Sequence, residues 1–244
     1  DFSKHKGEKI DPIRCDYKDY ELYELPPNTQ GLSTLQLLKA IEVIELNRLS
    51  FKNLERVKKF LRLATKVYED RDRYLADPDY YNPPINELLS PIYLRERMYE
   101  ATQTRSELKQ DDTTFFVVAD KNGNLVGFIQ SIFHNFGSGI VVQDIPFQNR
   151  GAGFAKRPNV PNSPAPKKRP LHTLSILLAR RENGFDYLIG CAAGDLRPQV
   201  HAEILINIAD YNMPLSRAVE APRYILTSWR RGKIKAIIEG NVWD

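Results

Sequence analysis

The sequence predicts an α+β protein, on three observations. Apolar residues recur at helical spacing through two stretches of the first third. Near the middle, two strand-like runs flank Asn122-Gly123, a pair that marks a tight hairpin. A helical pattern then returns after Pro198. Helices first, then strands, then helices is the order expected of an α+β chain.

Taken in order, residues 1–31 are polar and turn-rich, with one strand expected around Tyr20–Leu25. The rigid turn Pro26-Pro27-Asn28-Thr29-Gln30-Gly31 feeds a helix from Thr34 to Leu46, where Leu35, Leu38, Ile41, Val43 and Ile44 share a face. A second helix runs from an Asn53 N-cap to about Tyr74, burying Leu54, Val57, Phe60, Leu61, Ala64, Val67 and Tyr68. Asp77-Pro78-Asp79 and Asn82-Pro83-Pro84 stop it, and a short helix follows Ser90-Pro91. Residues 101–112 read as a charged connector without apolar period. Strands are expected at about 114–119 and 125–132, then a long irregular stretch, 143–170, with six prolines among basic residues. A loop of that length inside a domain is functional or disordered. Strands at about 172–179 and 186–190 lead to the small-residue turn Gly190-Cys191-Ala192-Ala193-Gly194-Asp195. Helix 198–211 and a short helix from Pro214 to Ala221-Pro222-Arg223 complete the pattern. No internal repeat is present.

The 244 residues, 42% hydrophobic and 27% charged, suffice for one large domain or two small ones with a substantial core. A net charge of +4, with only the short clusters Lys167-Lys168-Arg169 and Arg230-Arg231, gives no nucleic-acid patch. Cys15 and Cys191 form no disulfide framework, and with four scattered histidines they supply no metal-site spacing. No apolar run reaches the roughly 18 residues of a membrane span. The chain opens on Asp1 without an initiator Met, so a targeting segment upstream is allowed; localisation is open, with the cytoplasm favoured.

An ordered series of short motifs carries a resemblance: Leu25-Pro26-Pro27-Asn28 with Gly31-Leu32, Asp72-Arg73 with Tyr74-Leu75-Ala76-Asp77-Pro78-Asp79, and Thr113-Thr114 with Asp120-Lys121-Asn122-Gly123-Asn124. Phe136-Gly137-Ser138-Gly139, Pro161-Asn162, Lys168-Arg169-Pro170 and Glu220-Ala221-Pro222-Arg223 follow. The chain resembles the gamma-glutamyltransferase family of N-terminal nucleophile hydrolases. The resemblance implies a four-layer αββα sandwich, made as a precursor that cuts itself into a large and a small subunit. Residues 1–112 would be the C-terminal part of the large-subunit region, mostly helical. Residues 113–244 would be the small-subunit region, short of its closing strands, so that 1–244 is a central piece of a larger protein with unpaired sheet edges.

By the same resemblance the nucleophile is Thr113 and the scissile bond is Asp112–Thr113. The chemistry agrees. A threonine hydroxyl needs a base close by, and an amino-terminal Thr supplies its own α-amine, with a pKa of about 8. That amine exists only after the bond is cut, so the first attack is intramolecular. Thr114 resembles a helper that orients the amine, with an ordinary strand threonine as the alternative. Ser131 resembles a hydroxyl that supports the nucleophile, with a surface serine as the alternative. The amides of Ala193 and Gly194 match the oxyanion-hole turn; one methyl group is tolerable there if φ is negative. A plain strand-to-helix turn is the other reading.

The recognition positions depart from the gamma-glutamyl pattern. Phe133 stands where the family has Asn, Gly153 where it has Asp, and His172-Thr173 where it has Ser-Ser. Losing a buried carboxylate that pairs an ammonium costs about 3–5 kcal/mol if nothing replaces it. The set Phe133, Arg150, His172 and Thr173 is similar instead to the acylase-like branch. Arg150 holds a substrate carboxylate or closes the long loop; His172 is a packed loop residue or an acid/base. Cys191 reads as core rather than as a nucleophile. The resemblance thus implies an autoprocessing amidohydrolase acting on a gamma-glutamyl or similar acyl amide such as glutathione, with no metal or organic cofactor. Its partners would be that small molecule, an upstream large-subunit portion carrying an arginine for the substrate carboxylate, and the cleaved subunits as a heterodimer, with a homodimer of these as a further assembly. Neither nucleic acid nor membrane is implied. The alternative is a non-catalytic relative serving as a binding or partner subunit.

Overall fold

A computed structural model of the chain describes residues 2–102, 104–110 and 112–240. Gln103 and Asp111 of the expected connector, and the terminal Trp243-Asp244, lie outside them. The first strands, β1 (Ile13–Tyr17) and β2 (Tyr20–Glu24), form a hairpin across Lys18-Asp19. Only β2 was expected; β1 carries Arg14 and Asp16 on its open face, and this charge hides its period. Next come α1 (Gly31–Val43) and α2 (Leu54–Tyr74), then α3 (Ile85–Leu88) and α4 (Pro91–Tyr99). Leu32, Leu35, Leu37, Leu38 and Ile41 of α1 are all buried, so this helix is covered on every side, by β1 and β2, α2, α4 and later α5. In α2 one stripe is buried while Lys58, Lys59 and Arg62 face solvent. The Asn53 side chain caps it, accepting from the Glu55 and Arg56 amides at 2.8 and 3.2 Å.

The connector is not structureless: it contains β3 (Arg105–Glu107). After it come β4 (Thr114–Ala119), β5 (Leu125–Gln130), and the two-residue strands β6 (Val141–Val142) and β7 (Ile145–Pro146). Then β8 (Leu177–Arg180) and β9 (Tyr187–Ile189) precede α5 (Arg197–Ala209) and α6 (Leu215–Glu220). The strand expected over 172–179 is shortened because Leu171 to Ile176 leaves the ladder to reach the site; only His172 makes a bridge, with Thr29. The chain ends not on helices but on a hairpin, β10 (Tyr224–Arg230) and β11 (Lys233–Ile238). Its charged, short-period pattern gave no strand signal; packing against α2 stabilises it. Phe60 meets Tyr224 edge-on at 4.9 Å between ring centroids, and Tyr68 stacks on Trp229.

The largest sheet is antiparallel in the order β1-β2-β8-β9, and a second runs β11-β10-β3. Helices cover one face of the first sheet. The β4–β5 hairpin lies on the other, where the Phe115 ring sits directly on Gly190 and the Leu188 and Ile176 side chains press on Gly127. A Cβ on Gly190 would stand 2.6 Å from the Phe115 ring, so only glycine allows this approach. The result is a helix–sheet–sheet stack. One hydrophobic core joins residues from both sides of the 112/113 bond, from Tyr17 and Leu35 to Leu205 and Trp229. Among the described residues no helix is long and apolar enough to cross a membrane.

Candidate active site

The site begins with a turn. Asp120 holds the β4–β5 loop by accepting from the Asn122 and Asn124 amides through Oδ1, at 2.8 and 2.9 Å, and from Asn124 Nδ2 through Oδ2. This fixes the register, with Val118 opposite Val126 and Thr114 opposite Gln130. Strand β5 therefore ends one residue before Ser131, which sits in the loop rather than in the strand expected to 132. There the Ser131 hydroxyl donates to the Asp112 carbonyl at 2.8 Å and accepts from the Phe133 amide at 2.9 Å. Asp112, Thr113, Ser131 and Phe133 are brought together. Thr114 is not: it opens β4 on the outward, exposed face of the hairpin, opposite to Phe115.

Arg197, the first residue of α5, is buried with its guanidinium against the Thr113 hydroxyl. Nε donates to the Cys191 carbonyl at 2.9 Å, Nη1 to the Thr173 carbonyl, and Nη2 to Thr113 Oγ1 at 3.3 Å. Thr173 also accepts from Arg150 Nη1 through its hydroxyl, at 3.0 Å, and the Arg150 guanidinium lies over the Phe133 ring, 4.9 Å from its centre. Arg150, Thr173 and Phe133 thus form one wall. His172 is tied in through its backbone, between Asn28 and Gln30, and its Nδ1 accepts from the Leu174 amide. Burial, then the charges of Arg150 and Arg197, push its imidazole down to about 3. It stays neutral near pH 7 and is a weak base there.

The small-residue turn follows β9. Ala193 has φ −147° and Gly194 φ +51°, so the extra methyl group sits in an unstrained backbone. Among the described residues neither amide donates to a turn or loop carbonyl. The turn is held from outside. Gln30 Nε2 donates to both the Thr173 and Gly194 carbonyls, each at 2.8 Å, while Gln30 Oε1 accepts from Arg71. Asp195 accepts from Arg71 Nη1 at 2.6 Å and from the Lys109 amide at 2.9 Å, and its own amide donates to the Lys109 carbonyl. Its carbonyl accepts from the Tyr68 hydroxyl. Cys191 lies past the end of β9 and is half-buried; burial raises its thiol pKa, but the hydrogen bonds and charges of buried His201 and Arg197 together outweigh this and lower it. Gln30, Arg71 and Arg197 are site residues that reading the sequence missed. Their only signal is charge or amide among apolar neighbours, which does not distinguish a buried polar side chain from an exposed one.

A cleft of about 1260 Å³ opens beside this group, lined by Phe133 and Thr173, by cations including Arg105, Lys109 and Arg157, and by acids including Asp72, Glu107 and Asp195. Gly153 lies in its wall, and a Cβ there would stand 2.6 Å from the Leu171 carbonyl oxygen. The backbone has closed over the space where a side chain would start.

Two facing sheets backed by helices, with the hairpin strand headed by a threonine beside a small-residue turn, define the sandwich of the N-terminal nucleophile hydrolases. A model of the gamma-glutamyltranspeptidase family matches residues 1–238, and the chain belongs to that family. It is 32% identical, over 92% of its length and 44% of the relative's, to the glutathione hydrolase-like YwrD proenzyme of Bacillus subtilis. It is 29% identical, over 98% of its length and 47% of the relative's, to the oxamate amidohydrolase proenzyme of Klebsiella pneumoniae. Among solved structures, cephalosporin acylase from Bacillus halodurans superposes with a TM-score of 0.73 at 30% identity, covering 91% of this chain and 42% of that one. The chain spans less than half the length of these relatives.

Proposed function

We propose that this chain carries the nucleophile half of an autoprocessing N-terminal-threonine amidohydrolase, divided at Asp112–Thr113 into large- and small-subunit regions. The observation that carries the reading is the Ser131 hydroxyl on the Asp112 carbonyl oxygen, 2.8 Å away, with the Thr113 hydroxyl in contact with a buried cation. Thr113 Oγ attacks that carbonyl while Ser131 stabilises the oxygen as it gains charge. Collapse breaks the C–N bond and leaves an ester on Oγ. The hydroxyl proton goes to the departing nitrogen, so this step frees the Thr113 α-amine; water then hydrolyses the ester, giving a carboxylate on Asp112 and restoring the Thr113 hydroxyl.

In the mature protein that amine takes the hydroxyl proton as Thr113 attacks a substrate amide. The Ala193 and Gly194 amides face the developing oxyanion. The leaving amine departs with a proton, and water resolves the acyl-enzyme. Arg150, Thr173, Phe133 and His172 shape the wall beside the acyl group, with Arg150 closing that wall rather than gripping a carboxylate. The cations lining the cleft suit a substrate bearing a carboxylate, such as a gamma-glutamyl or related acyl amide; glutathione is the first to try. Relatives named as glutathione hydrolase-like and amidohydrolase proenzymes support the same class.

The test is intact-mass spectrometry of the full-length protein beside Thr113→Ala. Wild type is expected as two fragments whose masses sum to the precursor plus one water, with the variant whole. A wild type that stays whole through long incubation removes the amine base and with it the hydrolase reading, leaving a binding or partner-subunit role.

A further inference from the structure

Arg197 differs from buried Arg71 in having no carboxylate at ion-pair distance among the described residues. Arg71 pairs with Asp72 and Asp195, whereas among the described residues no ion pair involves Arg197. Its relative exposure is 0%. Its hydrogen bonds to oxygen run to two backbone carbonyls and the Thr113 hydroxyl; it also bonds the Cys191 thiol and feels the buried Glu24 carboxylate at longer range. A guanidinium cannot shed its charge in a protein, so buried Arg197 brings a permanent positive charge to Thr113. The two carbonyls lock its plane: one belongs to Cys191 at the start of the small-residue turn, the other to Thr173 in the cleft wall. The remaining nitrogen is thereby fixed on Thr113 Oγ1.

Resting on the function proposed above, we propose that Arg197 is a catalytic residue, whose guanidinium stabilises charge on Thr113 Oγ as it attacks and departs and holds the new Thr113 α-amine in its neutral, basic form. The amine and Oγ1 belong to one residue, so a charge bonded to the oxygen stands within about 4–6 Å of the amine, where a like charge favours the neutral form. Proton bookkeeping is unchanged: the hydroxyl proton passes to the amine and on to the leaving group, and Arg197 keeps its own. The consequence is an amine pKa below its ordinary value near 8.

The experiment titrates that amine without needing a substrate. Cleaved full-length protein is labelled competitively with acetic anhydride across pH, and acetylation at Thr113 is quantified by mass spectrometry. Wild type is expected to titrate clearly below about 8. Arg197→Gln is expected to titrate higher by about one pH unit or more, while Arg197→Lys, which keeps the charge, stays near wild type. A merely structural arginine would lower stability without moving this titration. An amine at or above its ordinary value in wild type overturns the proposal, even if Arg197→Gln fails to fold. An unchanged titration in folded Arg197→Gln overturns it as well. Either result in cleaved protein leaves the amidohydrolase reading standing, whereas a wild type that never cleaves removes both.

Discussion

Ser131 and the Asp112 carbonyl form the smallest unit of the proposed chemistry. A serine at the end of a strand is unremarkable by composition; it matters here because the hairpin register delivers its hydroxyl to Asp112 at 2.8 Å. Ser131→Ala is expected to slow cleavage at 112/113 by about 10²-fold, the scale for removing one oxyanion donor, in a mass-spectrometric time course. An unchanged rate would mean that the contact is incidental. The pair Thr113-Thr114 stood out in the sequence, but the faces its residues take did not: alternation puts Thr114 outward, and no residue pattern marks which face of a two-stranded hairpin will be covered. Arg197 was illegible for a related reason. Pro198 announced a helix start, yet whether the residue before it turns outward or into the site depends on where β9 and the 171–173 segment lie.

At the scale of elements, the helices were legible and the edge strands were not. The helices α1, α2 and α5 carry their own apolar residues at helical spacing, and α2 its Asn53 cap. Strands β1, β3, β10 and β11 exist because other elements pair with them and cover one face. Phe60, buried between α2 and β10, tests the latter packing: Phe60→Ala is expected to cost about 3–5 kcal/mol in a denaturation experiment. The prolines of 143–170 suggested disorder as readily as order, and a clasp decides it. Asp77 accepts from the Arg169 amide at 2.7 Å and from Arg169 Nη2, also at 2.7 Å. Burial alone would raise the Asp77 carboxyl, but these hydrogen bonds outweigh it and hold its pKa low. A depressed carboxylate stabilises above its unfolded pKa of about 3.9 and loses that contribution as pH falls through the folded value. Hydrogen exchange in the loop, taken relative to the intrinsic amide rate at each pH, should therefore be flat from neutrality to about pH 4 and rise below it. In Asp77→Asn the loop should exchange faster at neutral pH, with the acid-dependent rise attenuated.

At the scale of the whole molecule, the α+β class and the two-layered sheet arrangement agree with the reading of the sequence, and the open surface follows from them. Phe116 stacks on Phe128, and with Val118 and Val126 they make an apolar face on the outer side of the β4–β5 hairpin, where Val126 is 57% exposed. Such a face favours association. Sedimentation of the isolated 1–244 chain is expected to show assembly growing with concentration, and Val126→Lys to reduce it; a monodisperse monomer at high concentration would count against a sticky face. The core carries a further consequence. Helices α1 and α2 on one side of the 112/113 bond and α5 and β10 on the other bury a single set of side chains, so neither fragment of a cut chain has a core of its own. Cutting one peptide bond would then change the molecularity of unfolding. The precursor melts as one species at a temperature independent of dilution, whereas the cut form dissociates as it melts and becomes less stable each time it is diluted.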